Sequence, residues 1–243
     1  MDLQLTGLHA VVTGGSTGIG AAIVHALAAE GCRVSFCARR QVQIDKALGL
    51  VAHLPGTVQA HAISVTDNAN FTKWLETLGS FDIFVPNVSA LSVNWKDSLL
   101  TDIQATVDAT EAAVPFLLKS PHGAITYIGS KAGSLAAPKS AAYGAAKAAM
   151  AHYMKSLALR LLPTVRVNVV SPGDTLFADG LWDRVRLNEP DVFETVVQRN
   201  PMNRLATPEE IARVVAFVSS PAAGFVAGAN WYVDGGSTSH VQF

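Results

Sequence analysis

Tyr143 and Lys147 stand four residues apart in an alanine-rich stretch, Ala141-Ala142-Tyr143-Gly144-Ala145-Ala146-Lys147. At that spacing both project from one face of a helix. An ammonium close to a phenol favours the phenolate and lowers a pKa that is ordinarily about 10. That is what a general acid or base for a hydroxyl needs. Tyrosine and lysine meet at helical spacing by chance in many chains, so the pair takes its meaning from its neighbours. Ser130, thirteen residues before Tyr143, closes the run Ile125-Thr126-Tyr127-Ile128-Gly129-Ser130. A hydroxyl just past a strand, at the sheet edge where open α/β folds bind ligands, can orient a substrate carbonyl.

Near the N-terminus, Thr13-Gly14-Gly15-Ser16-Thr17-Gly18-Ile19-Gly20 suits a different partner. Glycines permit a tight turn and let the backbone approach a pyrophosphate, which the next helix stabilises through its free N–H groups. The spacing is not the commonest Gly-x-Gly-x-x-Gly, and glycines also serve ordinary turns, so context decides. The context is a strand before and a helix after. Further on comes Cys37-Ala38-Arg39-Arg40. An acidic residue in this neighbourhood would hold a ribose 2′-hydroxyl, whereas arginine accommodates a 2′-phosphate. Ala38 followed by Arg39 and Arg40 therefore favours NADP(H), with NAD(H) possible. Without a ligand the two are simply solvated loop arginines.

These residues need elements to position them. Runs rich in β-branched and other apolar residues predict strands at Leu8–Thr13, Arg33–Cys37, Val58–Ile63, Phe81–Val85, Ala124–Ile128, Arg166–Val170 and Trp231–Val233. Helical stretches are expected from Gly18 to Glu30 and near 41–53, 67–78, 102–119 and 140–162. Thr207-Pro208-Glu209-Glu210 starts another, with a cap, a first-turn proline and a glutamate able to reach back. Strands apolar throughout and joined by helices predict an α/β fold, a doubly wound parallel sheet covered on both faces. The least regular stretch, about 174–204, follows a strand end. It reads as a substrate lid offering Leu176, Phe177, Leu181 and Trp182, or as a plain surface excursion.

Composition narrows the function classes. Of 243 residues, 49% are hydrophobic and 15% charged, which allows a full core and argues against disorder. A net charge of −1 argues against nucleic-acid or polybasic membrane partners. Cys32 and Cys37 read as small buried hydrophobes in a reducing compartment, and the histidines show no metal-ligand spacing. No basic n-region precedes an apolar stretch and no run approaches ~18 apolar residues, so neither signal peptide nor membrane span is expected. The expectation is a cytoplasmic protein of one domain, residues 1–243, without a metal.

Taken in order, the motifs resemble the short-chain dehydrogenase/reductase family in its compact, single-domain form. The likeness runs from Thr13-Gly14-x-x-x-Gly18-x-Gly20 through Ser130 and Tyr143-x-x-x-Lys147 to Ser171-Pro172-Gly173 and Val233-Asp234-Gly235-Gly236. It spans essentially the whole chain, and the ordered combination is specific where each motif singly is not. The resemblance implies a Rossmann-type domain that moves a hydride between a nicotinamide cofactor and a carbonyl or alcohol. Tyr143 would be the acid/base, Ser130 would polarise the carbonyl, and Lys147 would grip the nicotinamide ribose. Gly14, Ser16, Thr17, Gly18, Ile19, Gly20, Arg39, Arg40, Ser64, Val65 and Asn87 would line the cofactor site. Pro172, Gly173 and Thr175 would flank the nicotinamide end. A small-molecule carbonyl or alcohol is the implied substrate and a homotetramer the implied assembly. Ala-rich helices apolar on more than one face and the run from Phe225 to Val233 add to the latter.

Three departures stand out. Pro86-Asn87-Val88-Ser89 replaces the usual Asn-Asn-Ala-Gly, Ser64-Val65 replaces an Asp-Val that usually meets the adenine, and Asp102 falls where the family has a catalytic asparagine. A carboxylate is acceptor-only when ionised, so a bond donated by an asparagine amide is lost. A negative charge within reach of Lys147 would also favour its ammonium. Two other readings remain at this level, a redox-silent nucleotide-binding relative and a cofactor-independent lyase reusing the serine–tyrosine pair.

Overall fold

Successive residues of a strand point to opposite faces of its sheet. In β1 (His9–Thr13), Ala10 and Val12 enter one core while Val11 enters another, so both faces are covered. The remaining strands are β2 (Arg33–Ala38), β3 (Val58–Ala62), β4 (Ile83–Val85), β5 (Ala124–Ile128), β6 (Arg166–Pro172) and β7 (Asn230–Val233). The computed structural model describes residues 1–241 and arranges these strands as one sheet in the order β3-β2-β1-β4-β5-β6-β7. Every pairing is parallel, as unbroken apolar strands require.

The helices are α1 (Gly18–Ala29), α2 (Gln41–Val51), α3 (Asn68–Leu78), α4 (Trp95–Asp97), α5 (Thr106–Leu117), α6 (Ala141–Leu161), α7 (Leu181–Asn188), α8 (Pro190–Arg199) and α9 (Pro208–Ser219). Ile23, Leu27, Ile211 and Val215 from α1 and α9 pack on one face, and Phe71, Leu117, Met150 and Leu157 from α3, α5 and α6 on the other. Each such side chain contributes about 1.5–3 kcal/mol when fully buried. The start of α9 behaves as its residues predict, the Thr207 N–H donating to the Glu210 carboxylate at 2.9 Å. From β1 the chain winds outward to β3, then crosses back and winds the other way from β4. The carboxyl ends of β1 and β4 therefore diverge, and the crevice between them is the place for a ligand.

Two stretches differ from the sequence expectation. The helix expected to begin at 102 starts earlier, with α4 and then a wide π-helical segment, Ser98–Ala105, that runs into α5. Two side chains hold the wide turn: Thr106 Oγ1 donates to the Thr101 carbonyl at 3.1 Å, and Asp102 Oδ1 accepts from the Ala90 N–H at 3.2 Å. Such a turn interrupts the period of 3.6 that a sequence reading follows. The stretch 174–204, expected to be irregular, contains α7 and α8. Neither has a buried residue, so local contacts sustain them, among them Arg186 to Asp183 at 2.7 Å and Gln198 to Glu194 at 3.0 Å. Among the described residues, no helix is long and apolar enough to cross a membrane.

Candidate active site

At the first turn of α1 the glycines are required by space. A Cβ on Gly20 would lie 2.1 Å from the Gly14 carbonyl oxygen, and Gly14 itself has φ of +69°, in the region that favours glycine. Asn87, past β4, clamps this turn by donating from Nδ2 to the Thr13 carbonyl at 2.9 Å and from its backbone N–H to Thr13 Oγ1 at 2.9 Å. Thr17 caps α1 with extended backbone but no side-chain bond, and the first turn carries no acidic residue. The opening N–H groups of α1 are thus free of an internal anion, the condition for taking a phosphate. Phe177 reaches back across this turn, close enough that a Cβ on Gly18 would meet its ring at 2.7 Å.

Arg39 and Arg40 follow β2 as exposed side chains on the same cleft. Arg40 Nε donates to Gln43 Oε1 at 2.9 Å, which fixes its direction, while Arg39 has no hydrogen-bond or ion-pair partner among the described residues. Beyond β3, Ser64 Oγ shares a hydrogen bond of 2.8 Å with Thr66, and Val65 is buried beneath. At the other end, Pro172 closes β6. A Cβ on Gly173 would lie 2.7 Å from Asp234 Cα, which explains the small residue beside the Val233-Asp234-Gly235-Gly236 segment. Thr175 is buried and donates to the Gly173 carbonyl at 3.0 Å.

Ser130 follows β5 in extended conformation, its Oγ accepting from the Ala132 N–H at 3.1 Å. Tyr143 and Lys147 share a face of α6, as their spacing predicts. Burial pushes the Tyr143 phenol above its ordinary pKa, a hydrogen bond with Ser130 opposes this, and the Asp102 and Asp174 charges add to the rise. Burial lowers the wholly enclosed Lys147 to about 8, against a supporting charge from Asp102. The expected lowering of Tyr143 by Lys147 is therefore not what the geometry gives. Lys147 Nζ lies 5.7 Å from the Tyr143 ring centre and donates instead to the Ile128 carbonyl at 2.9 Å and the Tyr127 hydroxyl at 3.0 Å.

Glycine turn, arginines, Ser64, Asn87, Ser130, Tyr143, Lys147 and the Pro172–Thr175 segment all line one cleft of about 800 Å³. Sequence reasoning missed three residues here. Tyr127 hides in a strand that reads as uniformly apolar, and Lys131 and Asp174, joined at 2.5 Å, flank Ser130 and Thr175 without a motif of their own. Among the described residues, no group of His, Cys, Asp and Glu side chains could hold a metal ion.

A parallel doubly wound sheet with this serine, tyrosine and lysine at its carboxyl edge defines a class, and the comparisons agree. Residues 14–238 match the family model described as enoyl-(acyl carrier protein) reductase. The chain belongs to the short-chain dehydrogenase/reductase family of oxidoreductases. Among its relatives is isoepoxydon dehydrogenase of Penicillium expansum, 34% identical over 257 residues and covering 98% of each chain. The 3-oxoacyl-acyl-carrier-protein reductase of Escherichia coli is 32% identical over 248 residues, covering 96% of this chain and 98% of that one. In structure, L-sorbose reductase from Gluconobacter frateurii, complexed with NADPH and L-sorbose, superposes with a TM-score of 0.90 at 26% identity, covering 99% and 100% of the two chains.

Proposed function

We propose that the protein is an NADPH-preferring carbonyl reductase, interconverting a ketone or aldehyde with its alcohol. The observation that carries this reading is the single cleft in which Ser130, Tyr143 and Lys147 share walls with the glycine turn and with Arg39 and Arg40. The donor set fits the cofactor: an uncapped helix start free of acidic residues for the diphosphate, and unopposed guanidinium groups for a 2′-phosphate. A nicotinamide bound there supplies the hydride for reduction or accepts it in oxidation. Solved relatives bound to NADPH or NADP support the preference.

In the reductive direction Tyr143 gives its phenolic proton to the carbonyl oxygen while Ser130 Oγ donates a hydrogen bond to the same atom. Together they stabilise the developing alkoxide, the term expected to dominate catalysis. Lys147 holds the ribose end, and the small residues of the turn, with Asn87, Pro172, Gly173 and Thr175, shape the rest. The segment 174–204 serves as the lid of this single domain. With Leu91, Val93, Phe177, Leu181 and Trp182 on the cleft, the favoured substrate is an apolar or aromatic carbonyl compound. We take the enzyme to be cytoplasmic, with its two free, buried thiols in support, and a homotetramer.

The experiment is NADPH oxidation with a panel of ketones by wild type and Tyr143→Phe. The variant should fold and bind cofactor, because the ring's packing survives, and lose nearly all turnover. A variant keeping more than about a tenth of wild-type activity would remove Tyr143 from this role, since loss of a positioned proton donor typically costs ~10²–10⁴-fold.

A further inference from the structure

Lys131 and Asp174 form an ion pair on the wall of the cleft and belong to no motif. Lys131 directly follows Ser130, and Asp174 stands between Gly173 and Thr175. Both also line a second cavity of about 250 Å³, together with Trp182, Arg199, Asn200 and Ser237. Backbone bonds fix the two partners. After β5 the Gly133 N–H donates to the Ser130 carbonyl at 3.0 Å, which sets the short turn Lys131–Gly133. On the other side the Asp174 carbonyl accepts from the Ala206 N–H, and the Ala206 carbonyl from the Leu176 N–H, both at 2.9 Å. Side chains held in this way present a fixed geometry to a ligand. The pair is also incompletely used. Lys131 Nζ donates to Asp174 Oδ2 at 2.5 Å and to Ser237 Oγ at 3.3 Å, which leaves one N–H. Asp174 Oδ1 has no partner among the described residues. Each side chain keeps 21% of its surface exposed, so the pair adds little to stability. What remains is a free donor beside a free acceptor, next to the catalytic serine and the nicotinamide end.

Resting on the reading of the cleft as that of a carbonyl reductase, we propose that Lys131 and Asp174 form a substrate subsite that recognises a hydroxyl group carried by the carbonyl compound. A hydroxyl both donates and accepts. Its proton goes to Asp174 Oδ1, and its oxygen takes the remaining N–H of Lys131. The pair is neutral as a unit, and this selects against other arms. A carboxylate would meet the Asp174 charge and an ammonium the Lys131 charge, while an apolar arm would cover both groups without replacing their water. Arg199, the other charge on the smaller cavity, is exposed and screened by solvent. The substrate is a hydroxy ketone or hydroxy aldehyde whose apolar body faces Leu91, Phe177 and Trp182. Lys131 and Asp174 determine specificity and take no part in hydride or proton transfer.

The test compares isosteres in NADPH oxidation. α-Hydroxyacetophenone and β-hydroxypropiophenone are set against propiophenone and butyrophenone, in which a methyl replaces each hydroxyl, and against β-benzoylpropionate, which carries a carboxylate. Wild type should favour at least one hydroxy ketone over its isostere by about tenfold in kcat/KM, the size of one hydrogen bond to a charged group. Lys131→Met/Asp174→Leu should bring that ratio close to one. Asp174→Ala alone leaves the Lys131 charge uncompensated, so β-benzoylpropionate should gain on butyrophenone, a change of preference that lost packing does not produce. Each reading is a ratio within one protein, so a general loss of activity cancels. If the double variant does not fold, Asp174→Ala decides the same question, since it too should lose the preference for the hydroxyl. A wild-type ratio near one for both pairs, a ratio unchanged in the variants, or a wild type that prefers the carboxylate overturns the subsite. Turnover of propiophenone without a preference for the hydroxyl refutes the subsite alone. A wild type that reduces none of the five compounds refutes the proposed function, and the subsite falls with it.

Discussion

Arg39 offers the sharpest test of cofactor choice. It stands directly after the small Ala38 at the end of β2, exposed and without a partner among the described residues, while Arg40 is steered by Gln43. A charge-assisted hydrogen bond contributes ~1.5–3 kcal/mol when water is excluded, but an exposed ion pair contributes ~0–1 kcal/mol. A 2′-phosphate on a cleft rim lies between these, so about 1–2 kcal/mol is expected, a loss of roughly five- to thirtyfold when each 1.4 kcal/mol is tenfold. Arg39→Ala should lower kcat/KM for NADPH by that factor and spare NADH; Arg40→Ala should act in the same direction and less strongly. Because both guanidinium groups are solvated, the preference should also shrink as ionic strength rises. The assay is kcat/KM for both cofactors in three proteins at two salt concentrations. Comparable values for NADPH and NADH in wild type, or an unchanged ratio in Arg39→Ala, would refute the reasoning.

Gly20→Ala should be severe, since its new methyl would sit 2.1 Å from the Gly14 carbonyl oxygen, a contact only a displaced turn can relieve. Overpacking of this kind typically costs ~1–3 kcal/mol; a lower melting temperature together with lost cofactor binding is expected, and unchanged binding would mean the turn does not cradle the diphosphate. The assembly is checked by light scattering: Phe225 is wholly exposed, and Leu99, Leu100 and Leu159 are more than half exposed. Association should cover some of this apolar surface, and a stable monomer at micromolar concentration would contradict the tetramer.

The sheet was legible because its strands are apolar on both sides. Val11, Phe84, Ile125 and Val167 point away from the face that Val12, Val85 and Ala124 occupy, yet all are buried, and only a covered parallel sheet gives that pattern. Ser130 just after β5 and Tyr143 and Lys147 on α6 belong to elements whose own signals are strong, so their meeting on one cleft was legible. The helices α7 and α8 were not, for an opposite reason. In α7 and α8 no residue is buried, so the core imposes no period on them, and charged side chains such as Asp183, Arg184 and Arg186 read as loop. The turn at Ser98–Ala105 escaped because its extra residue breaks the helical count just where Asp102 must face inward.

What spacing cannot convey is which acceptor a buried cation chooses. Four residues along α6 are enough to put Lys147 beside Tyr143, and from that alone a lowered phenol follows. The ammonium instead takes the Ile128 carbonyl and the Tyr127 hydroxyl, both on β5, 19 and 20 residues earlier and off the helix altogether. With the cation turned aside, desolvation governs Tyr143, and its pKa rises. The same holds for Asp102: its identity is plain in the sequence, but its effect depends on direction. Pointed outward it would be one more solvated carboxylate, with only its backbone near the site. Buried, with Oδ2 unpartnered, its charge adds to the burial that raises Tyr127 and Tyr143 and opposes the burial that lowers Lys147. The substitution of an acid for the family's amide is therefore a change in the electrostatics of the tyrosine and lysine together, and a pH profile reads it more directly than a rate at one pH.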